Sequence, residues 1–238
     1  MNGKRKSPGR HRLRGLRILH EDQDLLVVCK DAGLLTVSYA GDRSPTAERQ
    51  LTGYLRKGSR RSWIRAHTVH RLDRETSGLL LFAKSEAVQQ KLKGNWKAVE
   101  KHYTAVVHGS MDPKSGTFAG YLTENDDQFV HSTTDAAAGK WSETRYRVLR
   151  ETSRYSLLDI TLLTGRKNQI RVHLAEDGHP VAGDGKYGRK RDRVAPMALH
   201  ARTLSFPHPH DGRRVSFEAA VPAVLLQLME SGGGQQAG

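Results

Sequence analysis

A strongly charged stretch of this chain runs directly into its most apolar segment. Residues 70–77 are HRLDRETS, and Gly78 then opens the run Leu79–Phe82. A short apolar run bounded by turn residues predicts a strand buried in the core. The charged loop must therefore meet the rim of that strand, where rigid scaffolds commonly carry active-site residues. On spacing alone, Asp73 in this loop is either a catalytic carboxylate or part of a solvated surface connection.

Hydrophobic periodicity elsewhere favours strands joined by hairpins, with few helices. The first helix is expected to be capped by Ser44, with Pro45 at its first position. The predicted strands are 24–28, 78–82, 102–107, 144–149, 155–163, 199–206 and 214–220. A second helix is predicted to begin near Ser85, and two more are predicted over 166–176 and 223–229. This pattern predicts an α+β domain with a mixed, mostly antiparallel sheet and flanking helices.

Positive charge dominates the composition, with 39 Lys and Arg against 25 Asp and Glu. Such an excess points to a polyanionic partner, because each phosphate neutralised releases a condensed counterion. Residues 1–17 carry seven of these bases and no acid. We expect them to form a disordered tail. A mitochondrial-type presequence is the weaker interpretation, since serine is scarce and no amphipathic period is evident. Two further basic clusters, which are solvated faces or phosphate contacts, are Arg56, Lys57, Arg60, Arg61 and Arg65, and Lys186, Arg189, Lys190, Arg191 and Arg193.

The single cysteine, Cys29, excludes an internal disulfide and suits a reducing compartment, so a cytoplasmic protein is expected. The histidines form no familiar zinc-binding pattern with Cys or Glu, which predicts that no metal is bound. No apolar stretch reaches the length that a membrane helix needs. Residues 231–238 (SGGGQQAG) are typical of a disordered tail, which leaves 18–230 as one domain.

Several stretches of the chain match one enzyme family in the same order. They are ILHEDQDLLVVCKDAGLLT (18–36), HRLDRETSGLLLFAK (70–84), KHYTAVV (101–107), GRKNQIRVHL (165–174) and GHPVAGDGKYG (178–188). These stretches resemble the RluA-type pseudouridine synthases, whose signature is HRLDxxTSGLLLFAK, over about 18–222. The resemblance implies a mixed sheet bent around a central RNA-binding cleft. Because few residues precede the first predicted strand, we expect the form without an S4 domain.

The resemblance implies three catalytic residues. Asp73 is the expected catalytic aspartate, and Arg171 is the cation that pairs with it and favours its ionised form. From the residues alone, Arg171 is equally able to pair with Glu176 or Asp177. Tyr103 matches the tyrosine that stacks on the target uracil, and its alternative is that of an ordinary core aromatic in a strand.

Substrate contacts also follow from the resemblance. Arg71 matches the arginine that fills the space left by a flipped base, with a salt bridge to Glu75 as the alternative. Leu174 aligns with an apolar residue lining the uracil pocket, with plain helix core as the alternative. Three weaker candidates are His70, Arg166 and Gln169.

Two short segments depart from the family pattern. Lys167-Asn168 stands where Thr-His is frequent, and we expect this change to alter phosphate contacts while leaving the aspartate–arginine pair intact. Lys30-Asp31-Ala32 stands where Lys-Pro-Ala is usual, which we expect only to loosen a turn.

The chemistry implied by the family needs neither cofactor nor metal. Uridine becomes pseudouridine when the N1–C1′ bond breaks, the uracil rotates and C5 rejoins the sugar, without redox change. An aspartate can form a transient covalent bond to sugar or base; attack at C1′, attack at C6 and proton removal from C2′ all remain open. A stacked uridine must be extruded to reach Asp73, and extrusion is easiest in loops. The expected partner is therefore a tRNA or rRNA stem-loop, bound by a monomer without a membrane or small-molecule cofactor.

Two other classes of function agree with parts of the sequence. A non-catalytic RNA-binding protein on the same scaffold explains the basic character equally well, but it gains nothing from Asp73, Tyr103 and Arg171. A glycoside-type hydrolase needs paired carboxylates. Apart from Glu75, no second acid lies near Asp73 in a matching motif, so the hydrolase ranks last.

Overall fold

The computed structural model describes residues 13–38, 44–57, 59 and 61–231. The strands are β1 (Leu16–Glu21), β2 (Leu25–Lys30), β3 (His67–Thr68), β4 (Ser77–Ala83), β5 (Glu100–His108), β6 (Ser115–Glu124), β7 (Val130–Thr133), β8 (Lys140–Glu151), β9 (Tyr155–Leu162), β10 (Leu199–Pro207) and β11 (Arg214–Glu218). The helices are α1 (Ala47–Leu55), α2 (Glu86–Gly94), α3 (Gln169–Glu176) and α4 (Ala223–Ser231), with one 3-10 turn at Trp96–Ala98. The predicted α+β class is confirmed.

All the strands belong to one sheet. Its order is β1-β2-β4-β10-β5-β9-β8-β6-β7, with β11 paired to β10 and β3 paired to β4. Every pairing is antiparallel except that of β4 with β10, where Ser77 lies opposite His200. The late strand β10 therefore lies between β4 and β5, and it joins the two halves of the sheet.

Strand β4 is buried on both faces, which explains its uninterrupted apolar sequence. Leu80 and Phe82 pack into one core cluster, whereas Leu79 and Leu81 pack into a second cluster on the opposite face. Successive side chains of a strand point to opposite faces, so a strand covered on both sides favours apolar residues throughout. The polar residue of β4, Ser77, is at its start and forms a hydrogen bond with the His200 ring at 2.8 Å. The buried strand predicted from the sequence is confirmed.

Gly78 allows β4 and β10 to approach each other. Its φ is +113°, and a Cβ atom built on it would lie 2.2 Å from the carbonyl oxygen of Ala201 in β10. Both the backbone conformation and the missing side chain are therefore required here. The residue that follows the charged loop thus fixes how closely the centre of the sheet can pack.

Helix α1 begins later than the sequence pattern predicts. Thr46 is the N-cap, and its Oγ1 accepts a hydrogen bond from the backbone N–H of Arg49 at 3.2 Å. The prediction of a cap at Ser44 with Pro45 at the first helical position is therefore wrong. A parallel bridge between Leu35 and Thr46 holds the chain extended up to that point, and it competes with an earlier helical turn.

The other two early helices agree better with their predicted limits. Ser85 caps α2 as expected. The helix predicted over 166–176 begins only at Gln169, because Asn168 is in the left-handed conformation with φ 54° and ends any preceding helical turn. Its predicted stop is confirmed, since Gly178 follows the helix with φ +85°.

Some elements were not predicted at all. β6 and β7 were missed, and β1 includes Leu16 and Arg17, which had been assigned to the basic tail. Of the predicted tails, residues 1–12 and 232–238 lie outside the described residues, whereas Leu13 packs against the main core cluster and Ser231 ends α4. Within the described part of the chain, no helix is long and apolar enough to cross a membrane. In the same part, no group of three or more His, Cys, Asp or Glu residues is placed to hold a metal ion.

We predict that Gly78→Ala strongly destabilises the protein. The added methyl group meets the backbone of β10 and also strains the positive φ, so the free energy of unfolding should fall by about 2–6 kcal/mol. Gly212→Ala is the matched control, since Gly212 has φ +75° and nothing within 4 Å of the added Cβ. That control should lose only about 1–2 kcal/mol. Urea unfolding of both variants measures the difference, and equal losses would contradict the close contact.

Candidate active site

Asp73 lies on the loop between β3 and β4, at the rim of the buried strand. Its Oδ2 accepts hydrogen bonds from Arg171 Nη1 at 3.0 Å and from Asn168 Nδ2 at 2.6 Å. Both donors contact the same oxygen, and no described residue donates to Oδ1. The side chain remains 26% exposed. The carboxylate is thus held through one oxygen while the other stays available to a ligand.

Arg171 links this loop to helix α3 and to the segment that follows it. Its Nε and Nη2 donate to the two carboxylate oxygens of Asp184, both at 2.7 Å, in a bidentate pair. Burial opposes the charge of Arg171, but the bonds with Asp184 and the charge of Asp73 raise its pKa above the ordinary value. Burial also opposes the charge of Asp184, and hydrogen bonds led by that from Arg171 lower its pKa. Arg171 and Asp184 therefore remain ionised as a buried pair.

The predicted pair of Arg171 with Asp73 is present, and the alternative partners are not used. Glu176 instead accepts hydrogen bonds from the backbone and the hydroxyl group of Ser132. Asp177 lies 3.0 Å from the His179 ring. The arginine points away from the exposed end of its helix and into the site.

Two buried side chains hold the loop on either side of Asp73. Lys30 is fully buried, and its Nζ donates to three backbone carbonyls, including that of Arg74 at 3.0 Å. On the other side, Thr36 Oγ1 donates to the Leu72 carbonyl at 2.9 Å and accepts from the Leu72 N–H at 3.2 Å. The residues immediately before and after Asp73 are thereby fixed. Burial lowers the pKa of Lys30 to about 8.

Tyr103 lies on β5, where it is both part of the core and a neighbour of Asp73. It is only 6% exposed and belongs to the main core cluster, yet it also lines the same cavity as Asp73. Burial raises the pKa of its phenol, and the negative charge of Asp73 raises it further. The hydroxyl group therefore stays protonated at neutral pH.

Cavities open on more than one side of Asp73. The smaller of two has a volume of about 90 Å³, with apolar walls from Leu162, Ile170 and Leu199 beside Tyr103. The larger has a volume of about 440 Å³, and the residues lining it include His70, Arg71, Trp96, Lys101 and Arg166. Both cavities border Asp73 and Tyr103, and both have arginines in their lining: Arg71, Arg166 and Arg171 in the smaller, Arg71 and Arg166 in the larger.

Leu174 does not line either cavity. It is fully buried in the main core cluster, which agrees with the alternative of plain helix core, and its role in a uracil pocket stays a prediction. Leu174 lies three residues after Arg171, about one helical turn further along α3. Ile170, one residue before the arginine, reaches the cavity instead.

The weaker candidates are held mainly by contacts within the protein. His70 Nε2 accepts the backbone N–H of Leu81 at 3.1 Å, and burial, with a contribution from Lys101, lowers the pKa of His70 to about 3. Gln169 Oε1 accepts the backbone N–H of Arg166 at 2.9 Å, and its Nε2 donates to the protein as well. His70 is therefore neutral, and both side chains brace the loops that form the site.

Two arginines reach the larger cavity from the surface. Arg71 is exposed and lines it beside Asp73. The nearest acid of the loop, Glu75, lies 3.6 Å from Arg74. Arg166 is also exposed, and its Nε donates to the carbonyl of Trp141 at 2.8 Å. Both guanidinium groups are thus placed at the mouth of the site.

Asn168 is the contact that sequence reasoning missed. Its amide nitrogen donates directly to Asp73, and its amide oxygen lies 3.3 Å from the hydroxyl of Tyr187, which orients the amide. The departure at Lys167-Asn168 was a signal, but it was assigned to phosphate contacts. Lys167 in fact forms an ion pair with Glu124. The left-handed backbone at Asn168, which asparagine tolerates well, turns its side chain into the site.

Comparisons with known proteins agree on one family. A family model described as RNA pseudouridylate synthase matches residues 24–176. An uncharacterized RNA pseudouridine synthase of Bacillus subtilis, YlyB, is 38% identical over 91% of this chain and 72% of its own length. The ribosomal large subunit pseudouridine synthase D of Neisseria meningitidis is 37% identical over 90% of this chain, which spans 60% of that relative. A solved structure, Human RNA Pseudouridylate Synthase Domain Containing 4, has the same fold, with a TM-score of 0.75, 23% identity and coverage of 90% and 91% of the two chains.

We predict that Lys30→Met removes a pH-dependent part of the stability. Since burial lowers the pKa of Lys30 from 10.5 to about 8, the unfolded chain binds more protons than the folded chain between these pH values. This lysine therefore makes stability rise with pH across that window, and the variant should lack the rise. At pH 7 the variant should also lose about 2–4 kcal/mol, because buried carbonyls are left without donors. Urea unfolding across the window, with exposed Lys91→Met as control, measures both effects; identical pH dependence in Lys30→Met and wild type would contradict the prediction.

We also predict that Asn168→Asp destabilises the site through its contact with Asp73. The change replaces an amide donor by a second carboxylate, so the free energy of unfolding at pH 7 should fall by about 1–3 kcal/mol. The loss should shrink on acidification, when one of the two carboxylates gains a proton. Asn125→Asp is a suitable control, because the Asn125 side-chain oxygen is an exposed acceptor that aspartate retains. A loss in Asn168→Asp that does not depend on pH would exclude carboxylate repulsion as its cause.

Proposed function

Because the chain belongs to the RNA pseudouridylate synthase family, and is thus an RNA-modifying isomerase, we propose that Asp73 is its catalytic carboxylate. The observation that carries this proposal is the way in which Asp73 is held. Arg171 and Asn168 contact Oδ2 alone, while the carboxylate lines the cavities beside Tyr103. An ionised acid that is fixed through one oxygen and open at the other is suited to attack a substrate atom or to take a proton from it.

The ionised state of Asp73 is what each route of the reaction requires. Attack on C1′, attack on C6 and removal of the C2′ proton all use an unprotonated carboxylate. Arg171 supplies the opposite charge, and its own pairing with buried Asp184 keeps it from turning away. We propose that Oδ1, which has no donor among the described residues, is the oxygen that reacts.

The smaller cavity is the proposed place of the uracil ring. Its apolar walls suit the faces of a base, and Tyr103 presents a buried aromatic ring beside Asp73. The phenol stays protonated, because burial and the charge of Asp73 raise its pKa. We propose that Tyr103 stacks on the base and holds it while the uracil turns from its N1 to its C5 position.

We propose that base flipping brings the uridine out of the RNA stack and into the smaller cavity. A base stacked in RNA cannot reach a carboxylate on the floor of a cavity, and extrusion costs a few kcal/mol. Arg71 is exposed at the cavity mouth and lies two residues before Asp73 in the same loop. We propose that its side chain fills the space that the extruded base leaves in the RNA.

A folded RNA also needs contacts outside the cavity. The exposed basic residues Arg61 and Arg65 flank Trp63, which is 93% exposed. A positive surface with an aromatic platform suits an RNA strand, because bases stack on aromatic rings while the cations contact phosphates. One relative is named as a large-subunit ribosomal enzyme, so we propose large-subunit rRNA as the first substrate to test and tRNA as the second.

We predict that Asp73→Asn abolishes isomerisation. Amide nitrogen is not a nucleophile or base here, so release of tritium from C5-labelled uridine should fall by at least roughly a thousandfold. The measurement uses unmodified transcripts of large-subunit rRNA and of tRNA in separate reactions. Binding of either RNA should change little, because one exposed carboxylate is neutralised without loss of a cation. Asp126→Asn, in an exposed loop, is the control and should keep full activity.

The outcomes of this experiment separate the parts of the proposal. Activity on one RNA pool identifies the substrate class. Substantial tritium release by Asp73→Asn would contradict the catalytic role. No release by wild type from either pool, despite tight binding, would contradict both proposed substrates.

A further inference from the structure

Lys101 is a buried cation that the proposed reaction does not use. It lies on β5 two residues before Tyr103, so the two side chains point to the same face of the sheet. Lys101 is only 7% exposed, and it lines the larger cavity together with Asp73 and Tyr103. Its ammonium group is therefore inside the site and not on the outer surface.

This ammonium group lacks a polar partner within the part of the chain that the structure describes. Among the described residues, none accepts a hydrogen bond from Lys101 Nζ or forms an ion pair with it. Its recorded neighbours are the ring of Trp96, whose centroid is 5.9 Å from Nζ, and the backbone at Gly165. Lysine is almost never this deeply buried unless it is paired. Burial lowers the pKa of Lys101, and no acid offsets that effect.

The charged residues that line the larger cavity also favour the binding of an anion. Arg71 and Arg166 line it with Lys101, and His70 is kept neutral by burial. Lys167 is already paired with Glu124. The single carboxylate in the lining, Asp73, is engaged by Arg171. Lys101 is thus a positive charge in this lining that no acid among the described residues pairs with.

We propose that Lys101 binds a backbone phosphate next to the flipped uridine, from inside the cavity. This inference rests on the proposed function, because it assumes that the nucleotide enters beside Tyr103. Two residues along a strand span about 6.7 Å, so a base on Tyr103 places Lys101 beyond the edge of the ring. The sugar and its phosphate then lie within reach of the ammonium group. A full negative charge also balances a buried cation better than a neutral uracil carbonyl.

The test separates RNA binding from protein stability. Lys101→Met keeps the length of the side chain and removes its charge, whereas Lys101→Arg keeps the charge. The dissociation constant of an unmodified large-subunit rRNA transcript, and of a tRNA transcript, is measured from low to high salt in the Asp73→Asn background. Exposed Lys93→Met is the control for the loss of one positive charge on helix α2.

The proposal expects opposite effects on the RNA complex and on the free protein. Lys101→Met should weaken binding roughly tenfold, and the slope of log affinity against log salt should fall by about 0.7, the value for one phosphate contact to a single strand. Lys101→Arg should keep the wild-type slope, and Lys93→Met should keep both slope and affinity. Without RNA, Lys101→Met should melt at the same temperature as wild type or higher, because an unpaired buried charge is removed.

Several results would overturn the proposal. An unchanged slope and affinity in Lys101→Met would mean that the lysine only packs its stem against Trp96. Weaker binding with an unchanged slope would mean that the partner is neutral, such as a uracil carbonyl. A lower melting temperature without RNA would mean that the charge is satisfied within the protein. Since the binding assay needs no turnover, each of these results is distinct from a failure of Asp73 as the catalytic group.

Discussion

The buried guanidinium of Arg171 is the interaction on which the site depends. It joins the loop of Asp73, helix α3 and the segment carrying Asp184 through three hydrogen bonds of 2.7–3.0 Å. A guanidinium that is this deeply buried is stable only when its donors are matched by acceptors of opposite charge. Two carboxylates meet that need, and only one of them is buried. The same arrangement that satisfies the arginine therefore leaves Asp73 facing the cavity.

Around this ion pair, burial assigns a charge state to each neighbouring group. His70 is neutral because burial lowers its pKa to about 3, and Tyr103 is neutral because burial raises its pKa. The available negative charge in the cavity lining is then confined to one carboxylate, while positive charge collects at the mouth. A polyanion is attracted to such an entrance. The proposed function uses this division, because it requires a basic protein to hold the acid Asp73 close to RNA.

Much of this architecture could be predicted, and the parts that could not share a physical cause. The buried strand β4 could be predicted because a short apolar run bounded by turn residues is typical of a buried strand. The pair of Asp73 with Arg171 was predicted from the family resemblance. The contacts of Lys30, Thr36 and Asn168 were not predicted. Each joins a side chain to a group that is distant in sequence, and neither propensity nor periodicity encodes such a contact.

The missed elements have a similar explanation. In β6, exposed and half-buried residues alternate over 115–120, but two of the half-buried positions are Gly116 and Gly120, so no apolar period-two signal stands out in the sequence. Helix α3 was predicted three residues too long, because nothing in residues 166–168 shows that Asn168 adopts a left-handed conformation. Local backbone geometry, and not residue type, decided which side chains reach the cavity.

The position of β10 at the centre of the sheet has a consequence for synthesis of the protein. Strand β4 pairs with a strand made more than a hundred residues later, since Ser77 lies opposite His200. A chain emerging from the ribosome therefore carries one open apolar edge on β4 and another on β5 until the late strand arrives. Exposed edges of this kind attract other chains. Until residue 171 has been made, Asp73 also lacks the arginine that pairs with it, so the ion pair of the site forms late in synthesis.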